Sequence, residues 1–301
     1  MTERADRLRG VLLMLAAVGV FSIMDALMKQ LTLRYPPLQV ACLRGASSLP
    51  FVFLTYLVAR RLRLLRPVRW GLHVVRALLA VLMMWGFLWA LARASLADTY
   101  AIFMSAPLLV VLAASMLLGE KVDRHVWLAI VVGLVGVIVM LRPSTESIVS
   151  LAGLAALGSA VAYALVVVMV RFLSRTETTA SMVFWYLVML SLGAGALAAP
   201  DWVPIASSDG YWILAIGLAG WAGQHLITEA FRLAPAGLVA PYEYTALLWG
   251  IGIDWVVWQA LPGARMLAGS AIVVAAGLYL LHREYRTGQR DRGKLTGGFE
   301  P

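Results

Sequence analysis

From Gly10 to His282 the chain is a series of apolar runs, most of them close to the roughly 20 residues a helix needs to cross a bilayer. The runs fall at 10–31, 37–59, 71–92, 96–118, 125–141, 149–171, 179–199, 210–231, 236–259 and 265–282, with arginine, proline or an acidic residue in nearly every gap. Inside hydrocarbon each backbone amide must be satisfied within the protein, so lipid-spanning runs of this kind fold as helices. The expected architecture is an all-α membrane protein with ten transmembrane helices. Composition agrees: 14% of residues are charged, against about 25% in soluble domains.

A net charge of +9 could suggest a nucleic-acid partner, but the basic residues lie between the apolar runs rather than on one face. Membrane topology accounts for them better. With the N-terminus inside, the cytoplasmic segments hold 18 Lys and Arg and the outer segments 4 (Arg34, Arg93, Arg142 and Arg265). The bias places both termini in the cytoplasm and requires an even number of spans. Residues 1–9 are charged, and the run after them is full length with no small-residue cleavage site, which reads as a first transmembrane helix rather than a removed signal. Cys42 is the single cysteine, so no internal disulfide forms, and its place in an apolar run suits a small buried hydrophobe. The tail from Arg283 to Pro301 is polar and glycine-rich and is assigned no catalytic role.

One stretch occurs twice. Trp89–Lys121 is a polar turn, an apolar span containing Pro107 and a Gly119-Glu120-Lys121 exit; a degenerate copy covers Ala230–Pro262, displaced by about 140 residues. Phe21–Lys29 aligns with Tyr163–Arg171 in the same order, and Gly136 with Gly277. The expected domains are therefore a cytoplasmic N-terminus at 1–9, five-helix repeats at 10–141 and 149–282, and a basic cytoplasmic tail at 283–301. An odd number of helices per repeat makes the two halves insert in opposite orientations.

Over residues 10–284 the chain resembles the drug/metabolite transporter superfamily, EamA type. The residues that carry the resemblance are ALARASLADTYAIFMSAPLLVVLAASMLLGEKV in the first half, and AFRLAPAGLVAPYEYTALLWG and AGLYLLHRE in the second. The resemblance implies ten helices in two inverted five-helix repeats around a central cavity for a small-molecule substrate. The second copy departs from the pattern: Gln259-Ala260 stands where a Gly-Glu-like exit is common.

Ionisable groups inside a bilayer are expensive and face a bundle interior or cavity, which makes them the candidate site residues. Asp25 and Lys29 stand four residues apart on the first helix, and Arg44 enters from the same side. They read either as a patch orienting a charged substrate, with Asp25 and Arg44 as substrate-binding residues, or as a structural ion-pair network. The second cluster contains Trp221, Gln224, His225 and Glu229, followed by Pro241-Tyr242-Glu243-Tyr244. Here His225, Tyr242, Glu243 and Tyr244 are substrate-binding candidates, and Glu243 and His225 are also candidates for proton coupling, imidazole being suited to exchange near neutral pH. Pro107 and Pro241 are candidate helix breaks for gating. Glu229 with Arg232 reads as an ion pair at the cytoplasmic end. His73 and Arg76 are placed at lipid head groups, Asp98 as the cap of the fourth helix, Asp254 among an interfacial belt of Trp249, Trp255 and Trp258, and Gly217, Gly220 and Gly223 as sites of close helix packing.

No phosphate-binding loop, nucleophile elbow or metal-ligand spacing occurs, so no cofactor, metal or enzymatic activity is expected. The leading expectation is a multi-pass secondary transporter of the bacterial inner membrane. Resemblance to the superfamily implies export of an amino-acid-like metabolite by alternating access, with amino-acid-derived metallophores in that range. An importer of a vitamin or nucleoside-like metabolite, of the riboflavin or S-adenosylmethionine kind, is the alternative within the same fold. A non-transporting scaffold or membrane enzyme is the alternative outside it. The expected partners are the lipid bilayer and a small molecule, without nucleic acid; a homodimer is compatible with the pattern.

Overall fold

The computed structural model describes residues 2–118, 124–141, 151–234, 236–276, 278–279 and 282. The Gly119-Glu120-Lys121 exit, Gly277 and the tail from Arg283 lie outside the described residues. All regular structure among the described residues is helical: α1 (Thr2–Leu31), α2 (Pro37–Val58), α3 (Trp70–Leu91), α4 (Leu96–Phe103), α5 (Ala106–Leu118), α6 (Arg124–Leu141), α7 (Leu151–Leu173), α8 (Thr179–Ala198), α9 (Gly210–Leu233), α10 (Ala236–Val239), α11 (Thr245–Trp258) and α12 (Ala264–Ala276), with short 3-10 turns between some of them. Among the described residues, six stretches are long and apolar enough to cross a membrane: Asp6–Thr32, Pro37–Val58, Trp70–Leu91, Asp98–Leu118, Leu151–Leu173 and Thr179–Asp201. The 24-residue α9 has the length, but Gln224, His225, Glu229 and Arg232 dilute its hydropathy.

Helix ends follow local chemistry. Pro37 opens α2, where its missing amide costs nothing. The Thr178 hydroxyl accepts the Ser181 amide at the start of α8, and Gln259 ends α11 in the left-handed region at φ 51°. The first helix is longer than its apolar run, continuing through the charged residues back to Thr2.

Two expected spans are each two helices. The run 96–118 breaks at Met104–Ser105 between α4 and α5. Pro107 lacks an amide, and in a continuous helix its ring would crowd the carbonyl of Phe103, the residue on which α4 ends. The run 236–259 changes from α10 through a 3-10 turn at Ala240–Tyr244, which contains Pro241, into α11. Pro50, by contrast, is accommodated inside a continuous α2, so proline alone does not set the break.

The main packing pairs are α1 on α9, α3 on α7, and α2 on both α8 and α9. Without a hydrophobic force between helices in lipid, close approach of backbones supplies much of the attraction. Gly217 lies against the Ser47 backbone, Gly220 against Ser48 and Gly223 against the Phe21 ring, which seats α9 on α1 and α2. On the other side Gly45 lies against Ser191 of α8, and Gly86 against Ser159 and Ala155 of α7. Cys42 is half-buried and unbridged, its sulfur beside Gly195.

Candidate functional site

A cavity of about 130 Å³ lies among α1, α2, α3, α4, α7, α8, α9, the Ala240–Tyr244 turn and α11, roughly ten times the 10–15 Å³ that admits one water. Aromatic rings and methionines make most of its wall. Three charged side chains interrupt them: Asp25, Arg44 and Glu243, at 9%, 4% and 5% exposure.

Each is held differently. The Asp25 carboxylate accepts a hydrogen bond of 2.7 Å from the Tyr100 hydroxyl, which joins α1 to α4. The Arg44 guanidinium lies over the Phe21 ring at 5.5 Å and donates to the Met84 sulfur at 2.9 Å. Its Nε has no hydrogen-bond partner. Glu243 stands in the 3-10 turn beside Tyr163 of α7; its Oε1 and the Tyr163 hydroxyl lack hydrogen bonds of ordinary geometry. Buried polar groups left open in a cavity wall are available to a solute. Gln224 adds an amide to the wall and bonds Thr228 at 3.3 Å.

The other candidates lie off the wall. His225 is half-buried on α9, one turn from Glu229, and does not line the cavity. Tyr242 packs against a separate apolar cluster around Met14 and Phe231. Tyr244 is buried with no partner for its hydroxyl, also away from the wall. Pro107 is buried in the first turn of α5. Among the described residues no group of three His, Cys, Asp or Glu side chains is placed to hold a metal ion.

Several expected pairings change. Lys29 does not pair with Asp25; its ammonium lies 3.5 Å from Asp254 of α11 and 4.6 Å from the Trp258 ring centroid. Asp254 is itself buried, and its carboxylate accepts the Leu96 amide at 3.3 Å. The cap of α4 is Ser95, whose hydroxyl accepts the Asp98 amide at 2.8 Å, while Asp98 occupies the first turn. His73 and Arg76 do not reach head groups, being 2% and 1% exposed. Arg76 donates to the Met182 carbonyl at 2.9 Å and lies over the Tyr186 ring; His73 Nε2 is 3.2 Å from Glu177. Glu229 does pair with Arg232, and also accepts from Thr179 at 2.6 Å.

Two acidic clasps tie loops to helix ends. Glu177, between α7 and α8, accepts the amides of Val68 and Arg69 at 2.6 and 2.8 Å and the Ser181 hydroxyl at 2.9 Å. Burial acts to raise its pKa, but these amides, Ser181 and His73 hold the carboxyl below the usual glutamate range. Asp209, before α9, accepts from Tyr35 at 2.7 Å and Arg34 at 2.6 Å, and those two donors hold it below the aspartate range.

Reasoning from the sequence missed Tyr100, Tyr163 and Lys29–Asp254. A signal existed for the first two: Tyr100 follows the Leu-Ala-Asp-Thr turn, and Tyr163 opens the segment aligned with Phe21–Lys29.

Residues 8–142 match the EamA-like transporter family. A riboflavin transporter of Vibrio cholerae is 30% identical over 97% of this chain and 99% of that protein. The pseudopaline exporter CntI of Pseudomonas aeruginosa is also 30% identical, over 90% of this chain and 95% of that one. A solved crystal structure has the same fold, with a TM-score of 0.71 and 20% identity, covering 92% of this chain and 98% of that one.

Proposed function

Because the chain belongs to the EamA-like transporter family, we propose that it exports an amino-acid-like metabolite, amino-acid-derived metallophores included, across the bacterial inner membrane. It is a multi-pass secondary transporter of EamA type and not an enzyme. Relatives at equal identity are named for riboflavin and for pseudopaline, so similarity does not select the substrate.

The observation that carries the choice is one buried cavity presenting carboxylates and a guanidinium together: Asp25, Glu243 and Arg44. A zwitterion offers an ammonium to the carboxylates and a carboxylate to Arg44. A buried charge needs such a partner, since leaving one unpaired costs several kcal/mol. Tyr242 and Tyr244 flank Glu243 in the Ala240–Tyr244 turn. Proton exchange is assigned to Glu243 and tested beside it at His225, one residue from the cavity-lining Gln224.

The proposed transport cycle is alternating access by two inverted five-helix halves, 10–141 and 149–282, with both termini cytoplasmic, an orientation the arginine distribution supports. The packing supports this reading. Exchanging α1 with α7 and α3 with α9 turns the α1–α9 pair into the α7–α3 pair, while α2–α8 maps onto itself and α4–α11 maps onto α10–α5. The acid–phenol neighbours exchange as well: Asp25 of α1 with Tyr100 of α4, and Tyr163 of α7 with Glu243 before α11. The breaks at Pro107 and Pro241 are the hinges. A homodimer is compatible with the apolar outer faces, and the mass of the solubilised particle tests it.

The test compares small molecules in cells and medium with and without the gene. An amino-acid-like metabolite retained inside the deletion strain, released again by wild type but not by Asp25→Asn or Arg44→Gln, is the expected result. No change in any small molecule refutes export. The six aromatic rings on the cavity wall, Phe21, Phe87, Phe103, Tyr100, Tyr163 and Tyr186, favour a second reading, uptake of a riboflavin-like ring. Depletion of a flavin inside the deletion strain would select it.

A further inference from the structure

We propose that Lys29, Asp254 and the first amide of α4 form a gate over the outer end of the cavity, a transport role for residues that do not line it. This rests on reading the cavity as the transport site and on the orientation proposed above. Asp254 holds two elements at once, Lys29 of α1 at 3.5 Å and the Leu96 amide of α4 at 3.3 Å, while itself belonging to α11. Trp258, one turn further along α11, covers the Lys29 ammonium at 4.6 Å. Three wall-forming elements therefore meet in one knot.

The knot lies directly over the site. Lys29 is four residues beyond Asp25 on α1, and Leu96 is four residues before Tyr100 on α4. Residues four apart share a helix face one turn apart. The Asp25–Tyr100 bond and the Lys29–Asp254–Leu96 knot are thus successive rungs between the same helices. A solute that draws Asp25 from Tyr100 loosens the lower rung, so α1 and α4 separate more readily at the upper one. The opposite end is built differently. Arg171, which aligns with Lys29, reaches the carbonyls of Phe231 and Ala234 at 3.4 Å. Ala114, 140 residues before Asp254, supplies no carboxylate there. The outer closure therefore rests on an ion pair, and breaking that pair biases the protein toward outward opening.

The experiment places one reporter, Ser22→Cys on the cavity wall, in a Cys42→Ser background, and follows labelling by a membrane-impermeant thiol reagent. Intact cells expose the outer face and inverted vesicles the inner one. Asp254→Asn and Lys29→Met are compared with the parent, all confirmed to be folded by membrane level and melting temperature. Lys29→Met leaves Asp254 to accept the Leu96 amide, so it isolates the ion pair from helix capping. Labelling from outside is expected to rise about tenfold in both, the size of an ordinary coupling between sites, with labelling from inside falling. Unchanged labelling, or a rise from the inner face, overturns the gate. If Asp25→Asn abolishes transport while the gate variants label like the parent, the site stands and the gate alone is wrong.

Discussion

Asp25 and Tyr100 sit 75 residues apart and meet at 2.7 Å, a phenol on α4 donating to a buried carboxylate on α1 at the edge of the cavity. The bond defines the lower contact between two elements that the proposed cycle must separate. It also satisfies one oxygen of Asp25 while leaving the carboxylate next to open space.

Tyr100→Phe keeps the ring and its packing against Phe87, at 6.1 Å between centroids, and removes only the donor. A hydrogen bond to a charged group is worth about 1.5–3 kcal/mol. Substrate affinity is therefore expected to change by roughly tenfold or more, with normal membrane levels. Binding isotherms of the purified variant, for the metabolite found by the deletion comparison, measure it; affinity within twofold of wild type would remove Tyr100 from the site.

Gly217 and Gly252 separate packing from helix propensity. A methyl group at Gly217 meets the Ser47 carbonyl of α2, which is backbone and has no rotamer to yield. Gly217→Ala is expected to destabilise by about 1–3 kcal/mol. At Gly252 of α11 nothing lies within 4 Å of the added carbon, so Gly252→Ala should gain about 0.5–1 kcal/mol of helix propensity. Thermal unfolding in one detergent should shift in opposite directions for the two; equal shifts would contradict the α2–α9 contact.

Glu177 carries a pH signature. Its folded pKa is below the ordinary value of 4.5, so its contribution is fully present above about 4.5 and is lost as pH falls through the lower folded value. Asp209, held below 3.8, has the same sign in a more acidic window. Melting temperature should fall as pH drops below about 4.5. Glu177→Gln should melt lower at neutral pH and lose the part of that decline due to Glu177. An identical pH profile for wild type and variant would mean that the clasp does not contribute.

Proton coupling at Glu243 predicts a different profile. Glu243→Gln should still exchange substrate across a vesicle membrane at equal pH but lose the response to an imposed pH gradient, whereas His225→Ala separates a relay role from a packing role. Counterflow and gradient-driven flux measured in the same vesicles test both. A gradient response retained in Glu243→Gln would move the proton site elsewhere.

The sequence by itself determined that this chain lives in lipid and is helical, because hydropathy over about 20 residues and backbone satisfaction are local properties. It also marked both broken spans, since Pro107 and Pro241 act on the carbonyl four residues earlier, although Pro50 shows that a neighbourhood can absorb the same residue. It picked out Asp25, Arg44 and Glu243, because a charge within an apolar run must have a reason. Tertiary structure decided who meets whom. Lys29 passes over Asp25, one turn away, for Asp254, which is 225 residues distant in the chain; His73 and Arg76 turn inward to Glu177 and Met182. Lipid chains are as apolar as leucine and give no direction to a helix face, so partners are chosen by close backbone approach and by polar groups seeking one another across helices. Neither is written in sequence distance.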